Sequence, residues 1–349
     1  MEAAPLSKAR KPAWLRRPLP NGPEYEKVRR LLAGSHLSTV CQEAKCPNMW
    51  ECFSKKTATF MILGSECTRN CRFCNVTPGS PPPPDPQEPK RVAQATLDLG
   101  LSYVVVTSVT RDDLPDGGAS HFAATIREIK TLLPQGTRVE VLIPDFQGNE
   151  AALHTVMDAR PHVLNHNIET VPALYEKARP QAQYQRSLTL LQRASLYRPM
   201  TSQPKDINTK EDLLNHSSTM TSPGNTCGRP GNTTEMAQNT TTTASSRYGR
   251  NHGIPIKSGL MVGLGETREA LEQTICDLKD HGCDILTIGQ YLQPSKEHLP
   301  VAAYYPPEAF KELEIFARSK GFKTVASGPF VRSSYRADQL CPHCREDVA

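Results

Sequence analysis

Short runs of aliphatic and β-branched side chains alternate along the chain with stretches whose apolar residues recur every three or four positions. The first kind predicts strands at 57–63, 103–107, 138–143, 163–165, 256–262 and 285–289. The second predicts helices at 91–99, 119–133, 150–159, 184–194, 268–281 and 307–319, after a short one at 25–32. The strands are apolar almost throughout rather than at alternate positions, so both faces are buried. Buried strands separated by helices make a parallel sheet covered by helices, an α/β fold. Spacing alone leaves open whether the sheet is flat or closed into a barrel.

The pattern lapses in three places. Residues 1–40 form an arm interrupted by Pro5, Pro12, Pro18, Pro20 and Pro23 and rich in Lys and Arg. Residues 78–89 are a proline-rich linker, and proline excludes regular helix because it lacks an N–H and crowds the preceding turn. Residues 200–252 are rich in Thr, Asn, Ser and Gly and poor in apolar side chains, with Thr240 to Thr243 in a row. Such a composition buries too little surface to offset chain entropy, so disorder is expected there. Its glycosylation-type triplets at Asn215 and Asn232 are expected to stay idle, and Cys227 to be a free thiol.

Bulk properties narrow the function classes only slightly. The net charge of +5 gathers in the N-terminal arm and does not point to nucleic acid. No apolar stretch approaches the ~18–20 residues that span a bilayer. Without a secretory leader, reduced thiols and a cytoplasmic location are expected, with mitochondrion or plastid as the alternative in a eukaryote.

Six of the 11 cysteines change the picture. They form two consecutive triplets, Cys41/Cys46/Cys52 and Cys67/Cys71/Cys74. Thiolates are soft ligands for zinc or iron–sulfur clusters. A structural zinc site closes with four ligands, often two CxxC pairs, and neither triplet supplies these. Two adjacent triplets read as two metal sites, and the uneven spacing of the second favours iron–sulfur. Cys276 and Cys283 read as core, and Cys341-Pro-His-Cys344 as half a zinc site, expected to be unliganded.

The segment Cys67-Thr-Arg-Asn-Cys71-Arg-Phe73-Cys74 resembles the CxxxCxφC signature of radical S-adenosylmethionine enzymes. The upstream triplet resembles the auxiliary-cluster motif of the lipoyl synthase family within that group. Arg332-Ser333-Ser334-Tyr335 is similar to the RSSY motif of the same family. The resemblance spans about residues 11–338, interrupted by 200–252. It implies a partial (β/α)6 TIM-like barrel of the radical SAM type with an N-terminal cluster-binding extension. Chemistry is then expected at the carboxyl ends of the strands.

The resemblance also implies roles. Cys67, Cys71 and Cys74 hold a [4Fe–4S] cluster whose open iron binds S-adenosylmethionine, the source of a 5′-deoxyadenosyl radical. Cys41, Cys46, Cys52 and Ser334 hold an auxiliary [4Fe–4S] cluster consumed as sulfur donor. Gly259-Leu-Met261-Val-Gly263-Leu-Gly265-Glu266 resembles the family's GxIxGxxE segment, with Met261 in the Ile place. The GGE segment of many members is missing, and Thr107 and Ser108 stand where it is expected to hold the methionine ammonium. Asn165 and Glu169 are further candidates for cofactor contact, as is Gly263. Lys257, Ser258 and Arg179 read either as substrate contacts or as a solvated edge.

The implied activity is insertion of two sulfur atoms at C6 and C8 of a protein-bound octanoyl group, a sulfurtransferase step of lipoate biosynthesis and protein lipoylation. The implied partners are octanoylated carrier domains of 2-oxoacid dehydrogenase acyltransferases and of the glycine-cleavage system. An electron donor such as ferredoxin or flavodoxin and an iron–sulfur carrier are also implied, with no nucleic acid and no membrane. The alternatives are a methylthiotransferase-like two-cluster enzyme and a non-catalytic iron–sulfur protein. The expected division is 1–56 arm and auxiliary-cluster segment, 57–199 first part of the barrel, 200–252 insertion, 253–340 remainder with RSSY, and 341–349 tail.

Overall fold

The computed structural model describes residues 12–15, 26, 30, 37–43, 48, 51–52, 57–133, 136–198 and 253–341. The 200–252 segment, Cys46, Cys344 and most of the expected 25–32 helix lie outside these residues. Seven parallel strands follow one another in chain order among the described residues. They are β1 (Thr57–Ile62), β2 (Tyr103–Ser108), β3 (Arg138–Leu142), β4 (Val163–Asn165), β5 (Ile256–Val262), β6 (Ile285–Gln290) and β7 (Thr324–Gly328). Ser38–Thr39 adds an antiparallel edge, Ser38 facing Met61 and Thr39 facing Phe60 of β1. Among the described residues no ladder joins that edge to β7.

The six expected strands are all present, and the two additional strands of this sheet lacked the signal. Ser38–Thr39 is too short to show a period. Thr324–Gly328 is buried only at Val325, so it carries no continuous apolar run.

Among the described residues six long helices accompany the sheet: α1 (Glu88–Asp98), α2 (Ala119–Leu132), α3 (Glu150–Asp158), α4 (Tyr184–Leu196), α5 (Arg268–Asp280) and α6 (Pro307–Ser319). α1 starts inside the expected linker because Pro89 occupies its first turn, where no N–H is needed. α2 buries Phe122, Ile126 and Ile129 at helical spacing. Asn149 caps α3 by accepting from the Ala152 N–H, and Thr267 caps α5 by accepting from that of Ala270.

Strand alternation sorts the sheet into two faces. Val104 and Val106 of β2 and Val139 and Val141 of β3 belong to the main core that includes the helices. Tyr103 and Val105 belong to a second cluster with Val163, Ile285, Ala337 and Cys341. The C-terminal segment therefore packs on the face turned away from the helices. On that face the Lys257 Nζ lies 2.8 and 3.1 Å from the two Glu140 carboxylate oxygens. The same carboxylate accepts from the Tyr103 hydroxyl at 2.7 Å and the Asn165 amide at 3.2 Å. Lys257 is thus a buried ion-pair partner rather than a solvated edge residue.

Candidate iron–sulfur and cofactor site

β1 ends at Ile62, and the chain turns through Leu63 and Gly64, both at positive φ (69° and 107°). A two-residue strand, Glu66–Cys67, then pairs with Thr77–Pro78 and closes the loop that carries Cys67, Cys71 and Cys74. The loop is fastened to several connections at once. The Thr68 N–H and hydroxyl both donate to the Thr110 carbonyl after β2 (3.1 and 2.9 Å). The Arg72 N–H donates to Ala178 O after β4 (2.9 Å), and Leu299 N–H to Arg72 O (2.9 Å). A ring nitrogen of His298 lies 2.9 Å from the Cys74 carbonyl. Phe73 packs with Ala178, Leu264, Tyr291 and Leu299.

Arg69, between the first two thiols, anchors the loop from below. Its guanidinium binds Asp112 at 2.6 and 2.8 Å and Asp145 at 2.6 Å. Both partners lie beyond strand ends, Asp112 after β2 and Asp145 after β3. Arg186 of α4 reaches the other Asp145 oxygen at 3.4 Å. Burial alone would raise the Asp145 carboxyl, but Arg69 brings it down to about 2.

All three thiols are free and half-buried. The Cys67 sulfur accepts from the N–H groups of Arg69 (3.4 Å) and Thr110 (3.3 Å). Burial raises the Cys71 thiol, with Arg179 opposing and Glu169 and Cys67 adding to the rise. Burial pushes the Cys74 thiol up to about 12, reinforced by Cys71 and Cys67. Burial, reinforced by neighbouring thiols, holds Cys71 and Cys74 against ionising. A cationic metal centre lowers that cost, and three cysteines on one loop fit an iron–sulfur cluster. No three described Cys, His, Asp or Glu side chains gather to hold a single metal ion.

Beside Cys71 lies a polar lining. Glu169, at positive φ (67°), accepts from the Asn167 amide at 3.1 Å and is raised by burial against the pull of Arg179. Arg179 is buried and donates to Asn167 O (3.1 Å), while its Nε has no partner. The Oδ1 atoms of Asn165 and Asn167 and the Ser108 hydroxyl are likewise buried and unpartnered. Buried, unpartnered polar atoms at and just beyond these strand ends suit a polar ligand.

The structure distinguishes among the expected cofactor contacts. The Thr107 hydroxyl donates to Leu142 O at 2.8 Å, so it is committed to the next strand. Ser108 falls on the opposite face of β2 by alternation. The Asn165 amide turns to Glu140, leaving only its oxygen for a ligand. Gly263 follows β5 at φ 97°, and a side chain there would meet the Gln290 amide and the Ala303 carbonyl. Its N–H donates to Glu266 at 2.5 Å. Three participants escaped the sequence: Asp112 and Asp145, whose pairing with Arg69 depends on topology, and His298, in a loop without a pattern.

Of the first triplet, Cys41 lies in the short helix Val40–Glu43, and Cys52 is half-buried. The two cysteine segments touch. Asn75, next to Cys74, donates its amide to the Glu43 carbonyl at 2.6 Å. The RSSY segment also reaches the first triplet. The Tyr335 hydroxyl lies 3.0 and 3.1 Å from the two Glu51 oxygens, and Arg336 lies 3.1 Å from one of them. Ser334 is half-buried within this contact region. Cys276 is half-buried and Cys283 buried, both free. Cys341 is disulfide-bonded, against the expectation of reduced thiols throughout.

Comparison with known proteins gives two family-model matches. Residues 61–201 match the radical SAM superfamily, and residues 3–46 match the N-terminal domain of lipoyl synthase of the radical SAM family. A lipoyl synthase of Desulfotalea psychrophila is 49% identical over 330 residues, 95% of this chain and 92% of the relative. One of Caldanaerobacter subterraneus is 48% identical over 94% of this chain and 96% of its own. One of Methylococcus capsulatus is 46% identical over 97% and 89%.

Proposed function

The chain belongs to the lipoyl synthase family of radical S-adenosylmethionine enzymes, and from that premise we propose which of its residues carry the reaction. The activity is sulfur transfer: two sulfur atoms enter C6 and C8 of an octanoyl group carried on a protein. Two [4Fe–4S] clusters and S-adenosylmethionine supply what no side chain can, a radical able to take hydrogen from an unactivated C–H and the sulfide that replaces it.

Cys67, Cys71 and Cys74 hold the cluster that serves the cofactor. Their loop is clamped by Arg69 on Asp112 and Asp145, so the thiols keep their positions. Glu169, Asn167 and Arg179 hold the cofactor's ammonium, ribose and carboxylate, with Asn165 adding a buried polar atom and Thr107 and Gly263 shaping the wall, while Ser108 lies on the helix-covered face of β2 with Val104 and Val106. Cys41, Cys46, Cys52 and Ser334 hold the sulfur-donating cluster. Residues 1–56 carry the arm and auxiliary segment, and 57–199 with 253–340 the barrel and RSSY segment. One observation carries this reading: the Asn75–Glu43 hydrogen bond joins the segments of the two triplets.

The enzyme acts on lipoyl carrier proteins and needs a reductant. Acyltransferase subunits of 2-oxoacid dehydrogenases and the glycine-cleavage carrier are the proposed substrates. Ferredoxin or flavodoxin is the proposed donor, and an iron–sulfur carrier the source of replacement clusters. No described helix is long and apolar enough to cross a membrane.

The test is anaerobic reconstitution followed by mass spectrometry of an octanoyl-lysine peptide with cofactor and reductant. Cys46→Ala is expected to abolish sulfur insertion while sparing cofactor cleavage, and Cys71→Ala to abolish both. Identical behaviour of the two variants would refute the division of labour.

A further inference from the structure

The Ser334 turn is held at both of its ends by residues of the first cysteine segment. Before it, the buried Asn48 donates its amide to the Phe330 carbonyl at 2.6 Å. After it, both oxygens of Glu51 are engaged, one by Tyr335 and Arg336 together and the other by Tyr335. Between these ties the Tyr335 N–H donates to Arg332 O at 3.0 Å, so Ser333 and Ser334 are the two central residues of a turn. The turn rests on β6, where the Val331 carbonyl would stand 2.1 Å from any side-chain carbon at Gly289.

Arg336 gives an independent sign that the grip is functional. It adopts φ 50°, a left-handed conformation that glycine or asparagine takes easily and arginine does not. A strained residue persists only where its surroundings hold it. Here the holders are Glu51, through the ion pair, and the Tyr335 ring, which lies 5.2 Å from the guanidinium. Glu51 is also the residue next to Cys52. One carboxylate therefore couples the backbone position of a cysteine ligand to that of the serine.

We propose that Glu51 is a positioning residue that latches the Ser334 turn onto the Cys52 segment through Tyr335 and Arg336. The inference rests on the reading of Ser334 as the oxygen ligand of the sulfur-donating cluster. A serine hydroxyl is a weak ligand, and a weak ligand on an untethered C-terminal segment would drift from its site once released. With the latch closed, Ser334 stays within reach of the site whether or not it is bound. Glu51 itself touches neither cofactor nor substrate in this role.

Tyr335→Phe and Glu51→Gln test the latch on the full chain, with Ser334→Ala alongside. The first readout needs no cluster: the rate at which iodoacetamide alkylates Cys52 in the apo protein, with hydrogen exchange of residues 330–336. Losing a charge-assisted hydrogen bond is expected to accelerate both by about tenfold. The second readout is the Mössbauer signature of the reconstituted auxiliary cluster, expected to shift in all three variants. The third is the ratio of singly to doubly thiolated peptide, expected to rise. Cofactor cleavage, which belongs to the other cysteine loop, is expected to hold within about twofold in Tyr335→Phe. Should Glu51→Gln fold poorly, Tyr335→Phe carries the test, since it keeps the ring and loses only the hydroxyl. A shifted signature in Ser334→Ala with unchanged Tyr335→Phe and Glu51→Gln overturns the latch and leaves the ligand reading intact. An unshifted signature in Ser334→Ala overturns the ligand reading and the latch with it.

Discussion

Asp145 is fully buried yet remains a carboxylate, because Arg69 offsets the burial that would otherwise raise it and holds it at about 2. A folded value below the unfolded one means that stability is gained above the unfolded value, near 4. That gain is lost as pH falls from about 4 toward 2. Asp145→Asn is therefore expected to unfold more easily at neutral pH, by roughly 2–3 kcal/mol given that Asp112 still faces Arg69. Its stability is also expected to vary less between pH 4 and pH 2 than the parent's, and denaturant titration of the apo chain at several pH values measures both effects. The buried Lys257–Glu140 pair makes a second prediction. Lys257→Met leaves Glu140 charged and uncompensated, and is expected to cost about 3–5 kcal/mol. The double variant Lys257→Met/Glu140→Leu is expected to recover most of that loss, as thermal unfolding will show. The cysteines were legible because their chemistry demands one residue type at fixed spacing. Asp145 and Glu140 were not, because their partners lie 76 and 117 positions away and meet only after the sheet has formed.

Elements were legible in proportion to how much of their surface they bury. β2, with Val104, Val105 and Val106 all fully buried, stood out from the sequence, whereas the half-exposed β7 did not. Where elements join, glycine decides. Gly263 ends β5 at φ 97°, with the Gln290 amide 2.2 Å and the Ala303 carbonyl 2.4 Å from any added carbon. Gly100 is also at positive φ but meets nothing within 4 Å. Gly263→Ala is expected to destabilise by roughly 3 kcal/mol and Gly100→Ala by about 1, the difference measuring the clash rather than the backbone strain. Calorimetry of the two apo variants checks this. If they cost the same, Gly263 is there for its backbone freedom alone. The resemblance to GxIxGxxE located this glycine but not its neighbours, Gln290 at the end of β6 and Ala303 in the loop beyond it.

At the scale of the molecule, the order of the strands followed from their succession in the chain, because parallel strands with intervening helices add one beside the last. The course of the C-terminal segment did not follow. It passes Gly289 near the carboxyl end of β6 and then packs Ala337 and Cys341 against Tyr103, Val163 and Ile285, at the amino ends of their strands. No periodicity announces such a path. The 200–252 insertion has a composition that adds little core, so replacing it by a short Gly–Ser linker is expected to leave the unfolding midpoint within about 2 °C and sulfur insertion intact. A large loss of stability would show that the segment packs after all. The contact between Glu51 and Tyr335 spans 284 positions, and it sets a timetable for biogenesis. The Cys67–Cys74 loop and the strands on either side of it emerge early from a ribosome. The surroundings of Cys52 stay incomplete until Tyr335 has been made and has cleared the exit tunnel. Any machinery that loads iron during synthesis therefore finds the Cys67–Cys74 loop completed once His298 and Leu299 have emerged, before the Cys52 site, and a chain stalled or truncated before Ser334 would keep the first site and lack the second.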